Sequence, residues 1–277
     1  MSIKSFIYKR RPELAVASEF YGAYRDFRKA GFRKTPYGFM MAGPKTMQEG
    51  SYEARETKII IECLKKADVF IDIGANIGYY TCIARSMNMK VLAVEPLWHN
   101  LQYIYHNLNI NNWTDVEVYP LGLSDKPGLA VLYGVGTAAS FIKDWSGVST
   151  KMRMVPLSTL DILVAKRFSG RKIVIKIDVE GIEYRVLKGA RETMSLSPAP
   201  VWLVETGLTD HFPSGHNADF IKVFEEFWSI GYTAYDVANA AEEKISETQV
   251  HNWVKNLNTE AHYNFLFKKE TGQADLR

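Results

Sequence analysis

Two groups of acidic side chains, each placed where an apolar run stops, carry most of the chemical information in this sequence. The first group follows two such runs. Val69-Phe70-Ile71-Asp72-Ile73 leads into Gly74-Ala75-Asn76-Ile77-Gly78, and Lys90-Val91-Leu92-Ala93-Val94 leads into Glu95-Pro96. Gly74 and Gly78 let the backbone turn tightly and pass close to a ligand. A carboxylate about 20 residues beyond such a loop can accept hydrogen bonds from both hydroxyls of a ribose. A dinucleotide site uses G-x-G-x-x-G, with a pyrophosphate on a helix N-terminus. Here the spacing is G-x-x-x-G, with Asp72 ahead of the loop. An acid at that point opposes a pyrophosphate and suits an ammonium and a sulfonium, the two cations of S-adenosyl-L-methionine. Ser124 and Asp125, beyond a third run, supply an acceptor for an adenine amino group.

The second group follows Ile173-Val174-Ile175-Lys176-Ile177, where Asp178, Glu180 and Glu183 crowd one strand end with Lys176 nearby. Acids this close raise one another's pKa or share a divalent cation, though no spacing here demands a metal, and none is assigned. A hydroxyl is a poor nucleophile at neutral pH, and a general base contributes roughly 10²–10⁴-fold. Asp178 is the leading candidate for that base and Glu180 the second; capping of the following helix is the competing use of Asp178 and Glu183. Glu205 ends the next strand, and His211 and His216 follow it in a loop. His211 joins the catalytic set as a group that titrates near neutral pH.

These residues need a scaffold that gathers strand ends at one edge. The short apolar runs at 69–73, 90–95, 116–121, 173–178 and 201–205 suit strands buried on both faces. Between them lie helical stripes: Ile59, Ile60, Cys63, Leu64 and Ala67; Ile83, Ala84 and Met87; Leu101, Ile104, Tyr105 and Leu108; and Val186, Leu187, Ala190 and Met194. The third stripe closes at an asparagine-rich end, Asn107, Asn109, Asn111 and Asn112. Phe220, Ile221, Phe224, Phe227 and Trp228 form a further stripe, with Gly231 placed to terminate it. Strand candidates at 232–237 and 262–267 close the chain. Alternation of this kind predicts a doubly wound α/β fold with a mostly parallel sheet and helices on both faces. Residues 128–161 break the rhythm and read as an insertion, and 239–261 as a polar excursion. Both are expected to shape the acceptor pocket, with Tyr133, Phe141, Trp145 and Trp253 able to stack on a sugar ring.

The 277 residues carry a net charge of +3, unevenly spread. Residues 1–34 hold nine Lys or Arg against three acids, +6, which leaves −3 for the remainder. Within them, Leu14, Ala17, Tyr21, Tyr24 and Phe27 are spaced for a basic amphipathic helix over residues 13–29, suited to peripheral contact with an anionic membrane. Residues 1–50 are therefore expected to be a helical extension and linker, and 51–277 the catalytic domain. No window approaches 18 consecutive apolar residues, the N-terminus lacks a signal-peptide pattern, and the two cysteines fit buried thiols. These features place the protein in the cytoplasm. The modest charge, with no basic stripe interleaved with aromatics beyond residue 34, argues against nucleic acid as a partner.

Asp72-Ile73-Gly74-Ala75-Asn76-Ile77-Gly78-Tyr79-Tyr80-Thr81, Val94-Glu95-Pro96 and Lys176-Ile177-Asp178-Val179-Glu180-Gly181-Ile182-Glu183 together resemble the FkbM-type methyltransferases. Thr159-Leu160-Asp161, Val186-Leu187-Lys188-Gly189-Ala190 and Gly50-Ser51-Tyr52-Glu53 extend the resemblance over roughly residues 36–206. Position 182 departs from it, being Ile where the family often carries a polar residue such as His. The resemblance implies a class I methyltransferase fold, Rossmann-like, with a seven-stranded sheet. It implies that Asp72, Gly74, Asn76, Gly78 and Glu95 bind S-adenosylmethionine. It also implies methyl transfer mostly to hydroxyls of sugars, glycolipids or related natural products. The alternatives are an NAD-linked oxidoreductase of related topology and a non-catalytic cofactor-binding protein.

Overall fold

The computed structural model describes residues 31–134, 139–145, 151–164, 166–238, 243–258 and 262–270. The helix expected over residues 13–29 lies outside the described residues. Where the sequence predicts only a linker, the chain forms a hairpin, β1 (Phe32–Lys34) and β2 (Met40–Ala42), followed by a one-turn helix, α1 (Lys45–Gln48). The main body then runs α2 (Ala54–Leu64), β3 (Val69–Ile73), α3 (Tyr79–Ser86), β4 (Lys90–Val94), α4 (Trp98–Ile110) and β5 (Glu117–Tyr119). It continues through β6 (Gly122–Leu123), β7 (Gly128–Tyr133), β8 (Met152–Ser158), α5 (Leu160–Val164) and β9 (Ile173–Ile177). Next come α6 (Glu183–Lys188), α7 (Arg191–Met194), β10 (Val201–Glu205) and α8 (Phe220–Trp228). The last elements are β11 (Thr233–Asp236), β12 (Lys244–Ile245), α9 (Glu247–Asn256) and β13 (Asn264–Lys268).

The central sheet has the order β12-β11-β13-β10-β9-β3-β4-β5. It holds eight strands where seven are expected, because the two-residue β12 pairs onto the β11 edge. From β5 through β10 the pairing is parallel, whereas β13 is antiparallel to both its neighbours, β10 and β11. Successive strand residues face opposite sides, so each strand feeds two cores. Val69, Ile71 and Ile73 join Val186, Leu187, Phe224 and Phe227 beneath α6 and α8. Phe70 joins Ile60, Leu64, Ile83 and Ile104 beneath α2, α3 and α4.

Four features differ from the sequence reading. Residues 32–48 belong to the second core, which takes Phe39, Met41, Ala42 and Met47. The insertion forms its own sheet, β6-β8-β7. The stripe over 186–194 is two helices, because the Asp161 carboxylate accepts from the Glu192 and Thr193 backbone amides and starts a new helix there. Finally, α9 sends Val250 and Trp253 into the first core, which removes Trp253 from the acceptor pocket.

The asparagines of α4 dock the hairpin. Asn107 Oδ1 accepts from the Ala42 amide at 2.8 Å, and its Nδ2 donates to the Ala42 and Ile77 carbonyls at 3.1 Å. One turn later, Asn111 bridges both backbone groups of Met40. Asn107 is fully buried, so Asn107→Ala strands these groups at a cost of about 1–3 kcal/mol. Thermal melts should drop by several degrees for Asn107→Ala and stay unchanged for the exposed Asn109→Ala.

Candidate active site

Parallel pairing brings the carboxyl ends of β3, β4, β9 and β10 to one edge. The Gly74 and Ala75 amides donate to Val94 O, and the Asp178 amide donates to Ile73 O at 3.0 Å. Gly74 has φ +80, and a Cβ there would collide with the Asp178 carbonyl oxygen, so only glycine lets the loop lie against the end of β9. Asn76 (φ +50) aims its amide at the next strand end, donating to Glu95 Oε2 at 2.8 Å. The Leu97 amide donates to Glu95 Oε1 at 2.8 Å. Each oxygen of Glu95 therefore holds one backbone amide, and the Asn100 side chain adds a third hydrogen bond, which leaves about one of the carboxylate's four acceptor sites open. Burial pushes Glu95 up to about 7 against these hydrogen bonds.

Gly74, Asn76 and Glu95 open onto a cavity whose walls include Leu121, Leu123 and Ile182. Its lining also carries Glu53, Asp178, Glu180 and Glu205. The last three also line a second cavity, with Glu183, Asp210, His211, Trp145 and Tyr263 around it. Among the described residues, no Lys or Arg lines either space. Lys176 sits below the acids, 3% exposed, and pairs with Asp178 Oδ2 at 2.6 Å. Burial works to lower the Lys176 pKa, but the charges of Asp178, Glu205 and Glu53 outweigh it and hold the ammonium above its usual range. Burial, then the Asp178 charge, pushes Glu180 up to about 8. Glu205 is raised well above the usual carboxylate range, first by Asp178 and then by burial.

Several residues singled out from sequence stand elsewhere. Asp72 does not line the cavity: its side chain is buried, its Oδ2 accepts from Thr81 at 2.6 Å, and burial raises it to about 6. Gly78 caps α3 with φ +85 and packs against Ile104. Ser124 and Asp125 are carried past the cavity because β6 pairs with β8, and Ser124 faces a separate pocket while donating to Asp125 at 3.0 Å. Gly122 and Leu123 line the cavity in their place. Glu183 caps locally, accepting from the Gly181 amide at 2.7 Å. His211 (φ +68) reaches the second cavity beside Trp145, whose Nε1 donates to Glu180 at 3.0 Å, whereas exposed His216 lines neither space. Phe141 borders the cofactor-side cavity, and Tyr133 the separate pocket. Among the described residues, no three His, Cys, Asp or Glu side chains are arranged to hold a metal ion.

The sequence reading assigns Tyr52 and Glu53 no role at the site, although both line the first cavity. Tyr80 donates to Glu53 Oε2 at 2.7 Å, which ties the start of α2 to α3. The available signal was their place in the Gly50-Ser51-Tyr52-Glu53 match, 20 residues before the glycine loop.

A family model described as the methyltransferase FkbM domain matches residues 72–233, more than half of the chain. The chain belongs to the FkbM methyltransferase family. No curated protein matches it. Among solved structures, this FkbM domain is similar to the O-methyltransferase from Bacillus cereus in complex with SAH. That pair has 12% identity over 78% of this chain and 80% of the other, with a TM-score of 0.42. It is also similar to precorrin-6y C5,15-methyltransferase from Geobacter metallireducens GS-15, at 15% identity over 71% and 79%, TM-score 0.39. A third similar structure is an rRNA methylase from Streptococcus thermophilus, at 13% identity over 79% and 96%, TM-score 0.39.

The methyl donor of an FkbM domain is S-adenosylmethionine, and the first cavity fits it. Glu95 would offer its remaining acceptor capacity to the ribose, Leu121, Leu123 and Ile182 would offer apolar walls to the base, and the acids would suit the cationic end. A pyrophosphate would meet five carboxylates and no lysine or arginine among the described lining residues, which disfavours the nicotinamide alternative. Losing charged acceptors of this kind costs roughly 1.5–3 kcal/mol, about 10- to 150-fold in affinity. Titration calorimetry with S-adenosylhomocysteine should register that loss for Glu95→Gln. Because the carboxylate form is depleted below about pH 7, wild-type affinity should fall from pH 8 to pH 6, and the variant should not follow.

Proposed function

We propose that this methyltransferase acts on a hydroxyl of a sugar, glycolipid or related natural product. The observation that carries this reading is the set of three carboxylates, Asp178, Glu180 and Glu205, shared by the two cavities. S-adenosylmethionine supplies an electrophilic methyl on a sulfonium, so the chain's own task is to align a nucleophile and take its proton. A hydroxyl needs that help far more than a neutral amine does.

Asp178 and Glu205 form the proton-accepting pair in this reading. The Lys176 ammonium fixes Asp178, and Asp178 is the largest cause of the raised Glu205 pKa. The Asp178 charge, and then burial, raise Glu205 well above the usual carboxylate range, which suits it to accept a proton. The pair would take the acceptor O–H proton as the methyl is displaced from sulfur to oxygen, the S–CH₃ bond breaking as the O–CH₃ bond forms and S-adenosylhomocysteine being left. Trp145, held edge-on to Phe212 with centroids 4.6 Å apart, offers a face for a sugar ring, and Glu180 orients it. His211, with its ring 5.6 Å from Trp145, lies on the rim as a secondary proton acceptor.

Incubation with methyl-labelled cofactor and a panel of glycans, glycolipids and polyketide-like alcohols should return methyl ethers. Products methylated on nitrogen, carbon or RNA instead would overturn the reading. At saturating cofactor, Glu205→Gln should lower turnover roughly 10²–10⁴-fold. A general base works unprotonated, so turnover should decline as pH falls through the raised Glu205 midpoint. Asp178→Asn removes the main cause of the elevation, so carbon-13 NMR should follow the Glu205 midpoint to lower pH.

A further inference from the structure

At the opposite end of the strands lies a larger space without a part in methyl transfer. A groove of about 850 Å³ opens between α2 and the beginnings of β9 and β10, within the roughly 300–1,000 Å³ typical of ligand sites. Its floor is apolar, made by Ile59 and Cys63 of α2 and by Val174, Val201 and Leu266 of the sheet. Around that floor stand six cations: Arg55, Lys58, Lys66, Lys172, Lys268 and Lys269. The single carboxylate among the lining residues, Glu62, is paired with Lys65 at 2.6 Å. Lys268 and Lys269 lie over the rings of Tyr235 and Tyr232, whereas Lys58, Lys66 and Lys172 are exposed.

The combination selects its occupant. Residues 1–34 carry +6 and are repelled by such a rim. An isologous pairing of two copies would set six cations against six. A polyanion such as RNA would satisfy the lysines and leave the floor wet. An anionic amphiphile satisfies both parts, because lysine side chains present apolar stems toward a hydrocarbon and ammonium groups toward a headgroup. We propose that this groove binds an anionic phospholipid, its acyl chain along Ile59, Val201 and Leu266 and its headgroup against Lys58, Lys66 and Lys172. The methyltransferase would then dock on anionic membranes through the end of its sheet remote from the reaction.

The chain carries its own reporter. Cys82 is fully buried and Cys63 is half-buried on the groove floor, both as free thiols. Thiol labelling of the full chain therefore reads groove occupancy, beside co-sedimentation with phosphatidylglycerol-containing and pure phosphatidylcholine vesicles. Phosphatidylglycerol vesicles should sediment the protein in a salt-sensitive manner and slow Cys63 labelling at least about tenfold, and phosphatidylcholine vesicles should do neither. The triple variant Lys58→Glu, Lys66→Glu, Lys172→Glu should lose about 100-fold or more in vesicle affinity while binding S-adenosylhomocysteine normally. Sedimentation with Cys63 labelled at its unprotected rate would move the contact to another surface and overturn the proposal. So would protection by inorganic phosphate or by RNA in the absence of lipid, or failure of both vesicle types to bind. The wild-type labelling comparison stands whether or not the triple variant folds.

Discussion

The buried ammonium of Lys176 organises the catalytic edge of this protein. Taking a cation out of water costs several kcal/mol even after relaxation, and only closely placed negative charge makes it tolerable. Asp178 meets it at 2.6 Å, the charges of Glu205 and Glu53 lie within reach, and the Tyr80 ring centroid is 5.1 Å away. The dependence runs both ways. Without the cation, carboxylates from the start of α2 and from the ends of β9 and β10 would repel one another across a low-dielectric space. With it, they stand together where the two cavities meet. Breaking such a pair by removing one partner leaves an uncompensated buried charge, which makes Lys176 and Asp178 a structural couple as well as a chemical one.

The scaffold serves that arrangement by bringing backbones unusually close. Gly74 lies against the Asp178 carbonyl, and the Glu95 carboxylate is gripped by the Asn76 and Leu97 amides. Glu95 is thus oriented by the loop it faces, and the loop is stapled to β4 by the same bonds. The insertion sheet adds Leu132 to the cavity wall, and Ala139 and Phe141 follow from the loop beyond β7. Helix α9, by contrast, spends its apolar residues on the core and leaves the site to others.

Charge is segregated along the strands. Carboxylates collect at the carboxyl end, and lysines collect around an apolar groove at the other. The net charge of +3 therefore averages two local fields of opposite sign. No helix among the described residues is long and apolar enough to cross a membrane.

The sequence alone determined the sheet, because runs such as Val69–Ile73 and Ile173–Ile177 are apolar on both faces and have no stable place except between helix layers. It also determined that Gly74, Glu95, Asp178 and Glu180 gather at one edge, since parallel connection leaves strand ends little freedom. That Lys176 and Asp178 share a face follows from their separation of two. Tertiary structure decided which neighbours of those residues reach the ligand space. Asp72 turns beneath the loop to Thr81, and Ser124 is pulled away by the pairing of β6 with β8. Asn107 and Asn111, which read as a helix end, use their amides to bind a strand from 65 to 71 residues away. Glu53 and His211 enter by the same kind of long-range approach. Periodicity reports the direction of a side chain relative to its own element. What that side chain meets depends on a second element brought up from elsewhere in the chain, and one-dimensional spacing does not encode that approach.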